Sequence, residues 1–276
     1  MNKIIANKYK LLEILGQGAF GNIYKAVNIR TGGTVALKIE PIDSKTKMLK
    51  NETKIYQYLN NIECVPRVLW FGVDETNYYM ALTLLGPSLK TLKDSSLGGG
   101  PTFSLETVFS ITIKMVKILE CIHKKGLLHR DVKPDNFLMG TDHKSNLLYL
   151  IDFGFCRKYL LEDNTTHIPF RDGRKIIGTP NFISIHMHDG YEPSRRDDLE
   201  SVVYIMIYLL TDKLSWANYS LHEDYRNMNN KIRMEKMRVL TDEKTPKSIR
   251  EFFNYCRSLK YDEEPNYEII YSFLKL

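Results

Sequence analysis

A chain of 276 residues with 43% hydrophobic and 26% charged content is long enough to bury a sizeable core, and has the balance of an ordinary globular protein. Its net charge of +6 is spread among interspersed acidic residues, so nucleic-acid binding is not indicated, and the longest apolar run, Val202 to Leu210, is too short to span a bilayer. Cys64, Cys121, Cys156 and Cys256 form neither Cys-x-x-Cys pairs nor a cluster of metal-ligand spacing, which argues for reduced thiols in a cytoplasmic or nuclear setting. Met1 to Ala6 lacks the sustained apolar run of a secretory segment.

In chain order, Tyr9 to Leu15, Asn22 to Asn28 and Thr34 to Glu40 read as strands broken by glycine turns, with Thr31-Gly32-Gly33 as a hairpin connection. Lys47 to Asn60 carries Ile55, Tyr58 and Leu59 at near-helical spacing, and strands return at Arg67 to Val73 and Tyr78 to Leu84. Leu85-Gly86-Pro87 ends the last strand and marks a connector. Asp94 to Thr102 is expected as a loop, mobile at Gly98-Gly99-Gly100-Pro101. Ser104 is placed to cap a helix from Leu105 to Lys124, in which Val108, Ile111, Met115, Ile118, Leu119 and Ile122 share a face. An apolar strand is expected at Leu147 to Ile151, and further helices at Arg196 to Leu210, Asn229 to Val239 and Ser248 to Ser258.

Two strings carry chemistry. His129-Arg130-Asp131-Val132-Lys133-Pro134-Asp135-Asn136, followed by Asp152-Phe153-Gly154, has the residues that moving a phosphoryl group requires. Asp131 can orient a hydroxyl and accept its proton, Lys133 can offset developing charge, and Asn136 and Asp152 offer hard oxygen ligands to Mg2+. Each short string alone is an ordinary turn; their order and spacing together point to phosphotransfer. Upstream, Gly16-Gln17-Gly18-Ala19-Phe20-Gly21 is a G-x-G-x-x-G match that leads into a second strand and not into a helix. That context favours a glycine hairpin over ATP phosphates and disfavours a dinucleotide turn. Lys38 ends the apolar run Val35-Ala36-Leu37, where a buried ammonium needs partners; phosphates are one and Glu52 is the other.

With these motifs the chain resembles a eukaryotic-type protein kinase from about Tyr9 to about Tyr271, and more narrowly the casein kinase 1 family, with the vaccinia-related kinases as cousins. The narrower likeness rests on Leu84-Leu85-Gly86-Pro87-Ser88-Leu89, His167-Ile168-Pro169-Phe170-Arg171, Ser194-Arg195-Arg196-Asp197-Asp198-Leu199-Glu200-Ser201 and Cys256-Arg257-Ser258-Leu259. It also rests on the absence of the Ala-Pro-Glu glutamate after Gly178-Thr179. The resemblance implies an α+β fold: one kinase domain over 1–276, with a sheet-rich lobe at 9–84 bearing one main helix, a connector at 85–89 and a mainly helical lobe at 90–276. It implies that Gly16 to Gly21, Ile23, Ala36, Lys38, Leu138 and Asp152 line the nucleotide, that Leu82 is the gatekeeper and that the backbone of Thr83, Leu84 and Leu85 binds adenine. Asp198 is implied to hold the catalytic loop from beneath.

Serine/threonine transfer from Mg-ATP to proteins bearing acidic or phosphorylated residues is the implied activity, with Arg171, Arg174 and Lys175 as the anion-reading groups. Two positions depart from the family: Asn181 stands for an arginine and Asn218 for a glycine, which leaves recognition of a primed phosphate open. A monomer is expected; casein kinase 1 members generally need no activating phosphate, and the chain stops soon after Phe273, without the long tail that restrains some relatives. Constitutive activity is therefore expected. A scaffold that binds nucleotide without chemistry is the alternative, and its usual mark, loss of the lysine or of either aspartate, is missing.

Overall fold

The alternating apolar residues of the first third pair into one antiparallel sheet. Its strands are β1 (Ile4–Ile5), β2 (Tyr9–Gly18), β3 (Gly21–Asn28), β4 (Thr34–Pro41), β5 (Val68–Val73) and β6 (Asn77–Thr83), in the order β1-β2-β3-β4-β6-β5. The computed structural model describes residues 3–18, 21–44, 47–96, 103–211, 213–217 and 225–275. One face of the sheet buries Tyr9, Leu11, Ala26, Val35, Leu37, Tyr79 and Ala81, as period-two side-chain alternation requires. Between β4 and β5 lies helix α1 (Leu49–Tyr58), whose buried residues Leu49, Glu52, Thr53 and Tyr56 fall at i, i+3, i+4 and i+7. The chain divides into two compact units, and this sheet and helix form the first, Met1–Pro87, together with Leu138–Gly154. Within it Leu150 N–H donates to Cys64 O at 3.0 Å, fixing the strand that delivers Asp152.

The second unit, Ser88–Phe137 with Phe155–Leu276, is mainly helical. Its helices are α2 (Leu89–Ser96), α3 (Leu105–Lys124), α4 (Ile185–His188), α5 (Arg195–Leu210), α6 (Tyr225–Thr241), α7 (Lys247–Ser258) and α8 (Tyr267–Phe273). Ser104 caps α3 as expected, its hydroxyl accepting from Thr107 N–H at 3.2 Å. Helix α5 is buried on nearly every side and packs against both α3 and α7, so it is the centre of this unit.

The long expected elements are present, and the short ones differ. Asp94 to Ser96, expected as loop, is the end of α2, which Ser88 starts by accepting from Thr91 N–H at 3.0 Å. Gly98 to Pro101 lie outside the described residues. Helix α8 was not expected; Asn266 caps it by accepting from Glu268 N–H at 3.1 Å. A sheet-rich unit with one helix, followed by a mainly helical unit, is the α+β class expected.

Candidate active site

In the first unit β4 and α1 meet at an ion pair. Lys38 Nζ lies 2.7 Å from Glu52 Oε2 and 3.1 Å from Asp152 Oδ1, with Lys38 only 6% and Glu52 2% exposed. Burial alone would lower the Lys38 ammonium, but the carboxylates of Glu52 and Asp152 hold it above the ordinary lysine range. Burial pushes the Glu52 carboxyl up to about 7 against the pull of Lys38, and the charges of Asp152 and Glu40 add to the rise. One ammonium thus serves two carboxylates.

Asp152 has φ +64°, a left-handed conformation uncommon for a residue with a side chain. Its N–H donates to the Tyr56 hydroxyl at 2.9 Å, and the Tyr56 ring meets Phe153 edge-on with centroids 5.0 Å apart. Tyr56 follows Glu52 by one helical turn, so α1 holds both the side chain and the backbone of the Asp-Phe-Gly segment. This role of Tyr56 was missed from sequence, although its i+4 spacing from Glu52 was a usable signal.

The remaining residues expected to line the nucleotide lie in the same unit. Gly16, Gln17 and Gly18 end β2, Gly21 opens β3, and Ala19 and Phe20 lie outside the described residues. At Gly16 an added Cβ would meet nothing within 4 Å, so space is open there. Gly21 is demanded by the fold, since φ is +112° and a Cβ would sit 2.0 Å from Ile39 O. Ile23 stands opposite Lys38, and Ala36 opposite the buried Leu82. Thr83 N–H donates to Arg67 O at 3.1 Å. Leu84, Leu85 and Leu138 are half-buried, and Gly86 and Met139 tie their two segments together through Gly86 N–H to Met139 O at 2.8 Å.

The second unit assembles the catalytic loop. Asp198, from α5, accepts from His129 N–H at 2.8 Å and Arg130 N–H at 2.9 Å, which holds Arg130 at φ +67°. Burial alone would raise the Asp198 carboxyl, yet hydrogen bonds from His123 and the loop amide keep it below the usual range. Asp131 Oδ2 meets Lys133 Nζ at 2.7 Å, and its Oδ1 accepts from the Thr179 hydroxyl at 2.8 Å. Lys133 also reaches Thr179 Oγ1 at 3.2 Å. Asn136 Nδ2 donates to Asp131 O at 2.9 Å, which turns the amide so that its oxygen is the end left for a ligand. Gly178 closes against this loop: φ is +84°, and a Cβ would stand 2.7 Å from Arg130 O.

A family model described as the protein kinase domain matches residues 9–270. The chain belongs to the protein kinase domain family. It therefore has the two-lobed kinase fold and is a phosphotransferase that takes protein substrates.

In this kinase the expected anion-reading residues are not equivalent. Arg174 Nε pairs with the buried Glu192 Oε2 at 3.0 Å, and Arg157 Nη1 pairs with Glu192 Oε1 at 2.6 Å. Arg174 and Lys175 line a cavity of about 410 Å³ with Arg130 and Glu192, whereas Arg171 is exposed outside it. Arg130 Nε donates to Phe155 O at 2.6 Å. The Asn181 carbonyl accepts from Trp216 Nε1–H at 3.0 Å. Asn218 lies outside the described residues. Among the described residues no helix is long and apolar enough to cross a membrane.

Proposed function

We propose that the chain is a serine/threonine protein kinase of casein kinase 1 type. It moves the γ-phosphoryl group of Mg-ATP onto Ser or Thr of acidic protein substrates. The observation that carries this reading is the contact of Thr179 with Asp131 and Lys133. A short aliphatic hydroxyl already sits 2.8 Å from the carboxylate that would take the substrate proton and 3.2 Å from the ammonium beside it. A serine or threonine hydroxyl presents the same chemistry to the same two groups. Asp131 then orients the nucleophile and accepts its proton, while Lys133 offsets charge developing on the transferred group.

The donor set fits nucleotide and metal. Lys38 shared between two carboxylates leaves excess negative charge at Asp152, and Glu52 Oε1 is buried with no hydrogen-bond partner among the described residues. Asn136 and Asp152 are hard oxygen ligands, and the open space at Gly16 leaves room for phosphate beside the glycine hairpin. Bound Mg2+ would supply neutralisation of phosphate charge. Lys38, Glu52 and the hairpin would orient the nucleotide.

Acidic preference is supported by the cavity at Arg130, Arg174 and Lys175, where three cations face one carboxylate, Glu192. Glu192 also bears on activation. By pairing with Arg157 and Arg174 it stands where an added phosphate would otherwise organise those arginines, which supports activity without prior phosphorylation. A labelled-ATP assay on acidic, primed and basic peptides, each with Ser, Thr or Tyr as acceptor, tests the reading. Acidic Ser and Thr peptides should be labelled with a KM that rises with salt, before and after phosphatase treatment of the enzyme. Labelling confined to Tyr, or a preference for basic peptides, would contradict it.

A further inference from the structure

Glu40 is a fully buried carboxylate for which the reaction above has no use. It stands two residues after Lys38 on β4, so the two side chains leave the same face of the strand. Its Oε1 accepts from Met48 N–H and its Oε2 from Leu49 N–H, each at 2.9 Å. These are amides of the first turn of α1, where no intrahelical acceptor exists. Met48, at the N-cap position, makes no side-chain cap of its own, so the cap is supplied from β4. A carboxylate at this end also meets the positive pole of the helix dipole.

The geometry has a mechanical consequence. Glu52 lies in the first turn of the helix whose start Glu40 grips with both oxygens. One stretch of strand, Lys38-Ile39-Glu40, therefore holds the ammonium and also the helix that delivers its partner. Two bonds from one planar group fix both the depth of α1 and its rotation about its axis, which a single bond would not do. We propose that Glu40 is a positioning residue: by clamping the start of α1 to β4 it sets the contact of Glu52 with Lys38. This rests on the kinase reading for its effect on rate, but not for its effect on the helix. Helix α1 then needs no partner protein and no modification to bring Glu52 to Lys38.

The test combines Glu40→Gln and Glu40→Asp, each alone and in a Glu52→Gln background, with amide hydrogen exchange and Mg-ATP kinetics on the full chain. Gln keeps the shape but loses the charge and one acceptor. Asp keeps the charge but is one methylene too short to reach both amides. Both single variants should speed exchange over residues 49–58 by about tenfold, the size of a lost cap, and lower kcat/KM for Mg-ATP by a similar factor. In the Glu52→Gln background the same changes should cost less than about twofold, because the contact they support is already gone. Unchanged exchange over 49–58, or a full additive loss in the double variants, would overturn the proposal. So would an Asp variant that behaves as the parent, since charge alone would then suffice. If the parent transfers no phosphate the kinase reading fails, and the exchange measurements still decide the role of Glu40.

Discussion

Two residues of the strings proposed to carry the chemistry are held in left-handed backbone, Arg130 at φ +67° and Asp152 at φ +64°. Such conformations cost roughly 1–2 kcal/mol each for a residue with a side chain and persist only where neighbours over-determine them. At Arg130 the determinant is the Asp198 carboxylate; at Asp152 it is the Tyr56 hydroxyl. Tyr56→Phe removes one oxygen and keeps the ring against Phe153. It should lower kcat about tenfold through an unsatisfied Asp152 amide, with KM for peptide unchanged in steady-state assays. The pairing of Lys38 with Glu52 was legible because each sits in a short local string. The contacts of Tyr56 with Asp152 and of Thr179 with Asp131 were not, because each is made only when distant segments fold together.

Elements of the second unit are fastened by charged side chains that a hydropathy pattern does not reveal. Arg195 and Arg196 open α5 and donate to Asp262 O at 2.7 Å and Leu259 O at 2.6 Å. Asp197 accepts from Ser194 N–H at 2.7 Å, and Asp198 holds the catalytic loop. The stretch Ser194 to Asp198 is thus explained as structure. Glu200 accepts from Ile185 N–H at 2.6 Å and lies 3.7 Å from Arg257, so a carboxylate from α5 secures α4 in a chain without the Ala-Pro-Glu glutamate.

Lys236, on α6, is fully buried and donates to Pro180 O at 2.9 Å and Ile183 O at 2.7 Å, with His188 Nε2 at 3.0 Å. Burial lowers its pKa well below that of a solvated lysine, and three acceptors match the three donors of an ammonium. With Trp216 it anchors the stretch from Pro180 to Ile183 by its carbonyls. Lys236→Met should destabilise the chain by about 3 kcal/mol in urea unfolding, since three buried acceptors lose their donor. It should raise KM for peptide while leaving KM for ATP in place, which initial-rate kinetics would show. Strands β2 to β6 and helix α3 were legible because their periodicity is long and strong, whereas β1, with two residues, was not. Helices α2 and α8, with 8 and 7 residues, were not, because so few positions define no face.

For the whole molecule, stability should depend on acid through His188. Burial, with the Lys236 charge nearby, pushes this imidazole down to about 3, whereas in the unfolded chain it titrates near about 6.5. The unfolded chain binds the proton first, so this contribution is fully present above about pH 6.5 and is lost as pH falls toward about 3. Urea unfolding at stepped pH should show that slope, and His188→Gln should flatten it. The first unit carries the residues proposed for the nucleotide and the second those proposed for proton transfer, and catalysis by such groups rests on positioning and charge. The most direct measurement is single-turnover transfer from labelled Mg-ATP to an acidic serine peptide, comparing the parent with Asp131→Asn at matched nucleotide binding. Transfer by the parent, reduced by orders of magnitude in Asp131→Asn with ATP affinity kept, is the predicted result. No transfer by a folded, ATP-binding parent, or equal transfer by the two, would contradict it.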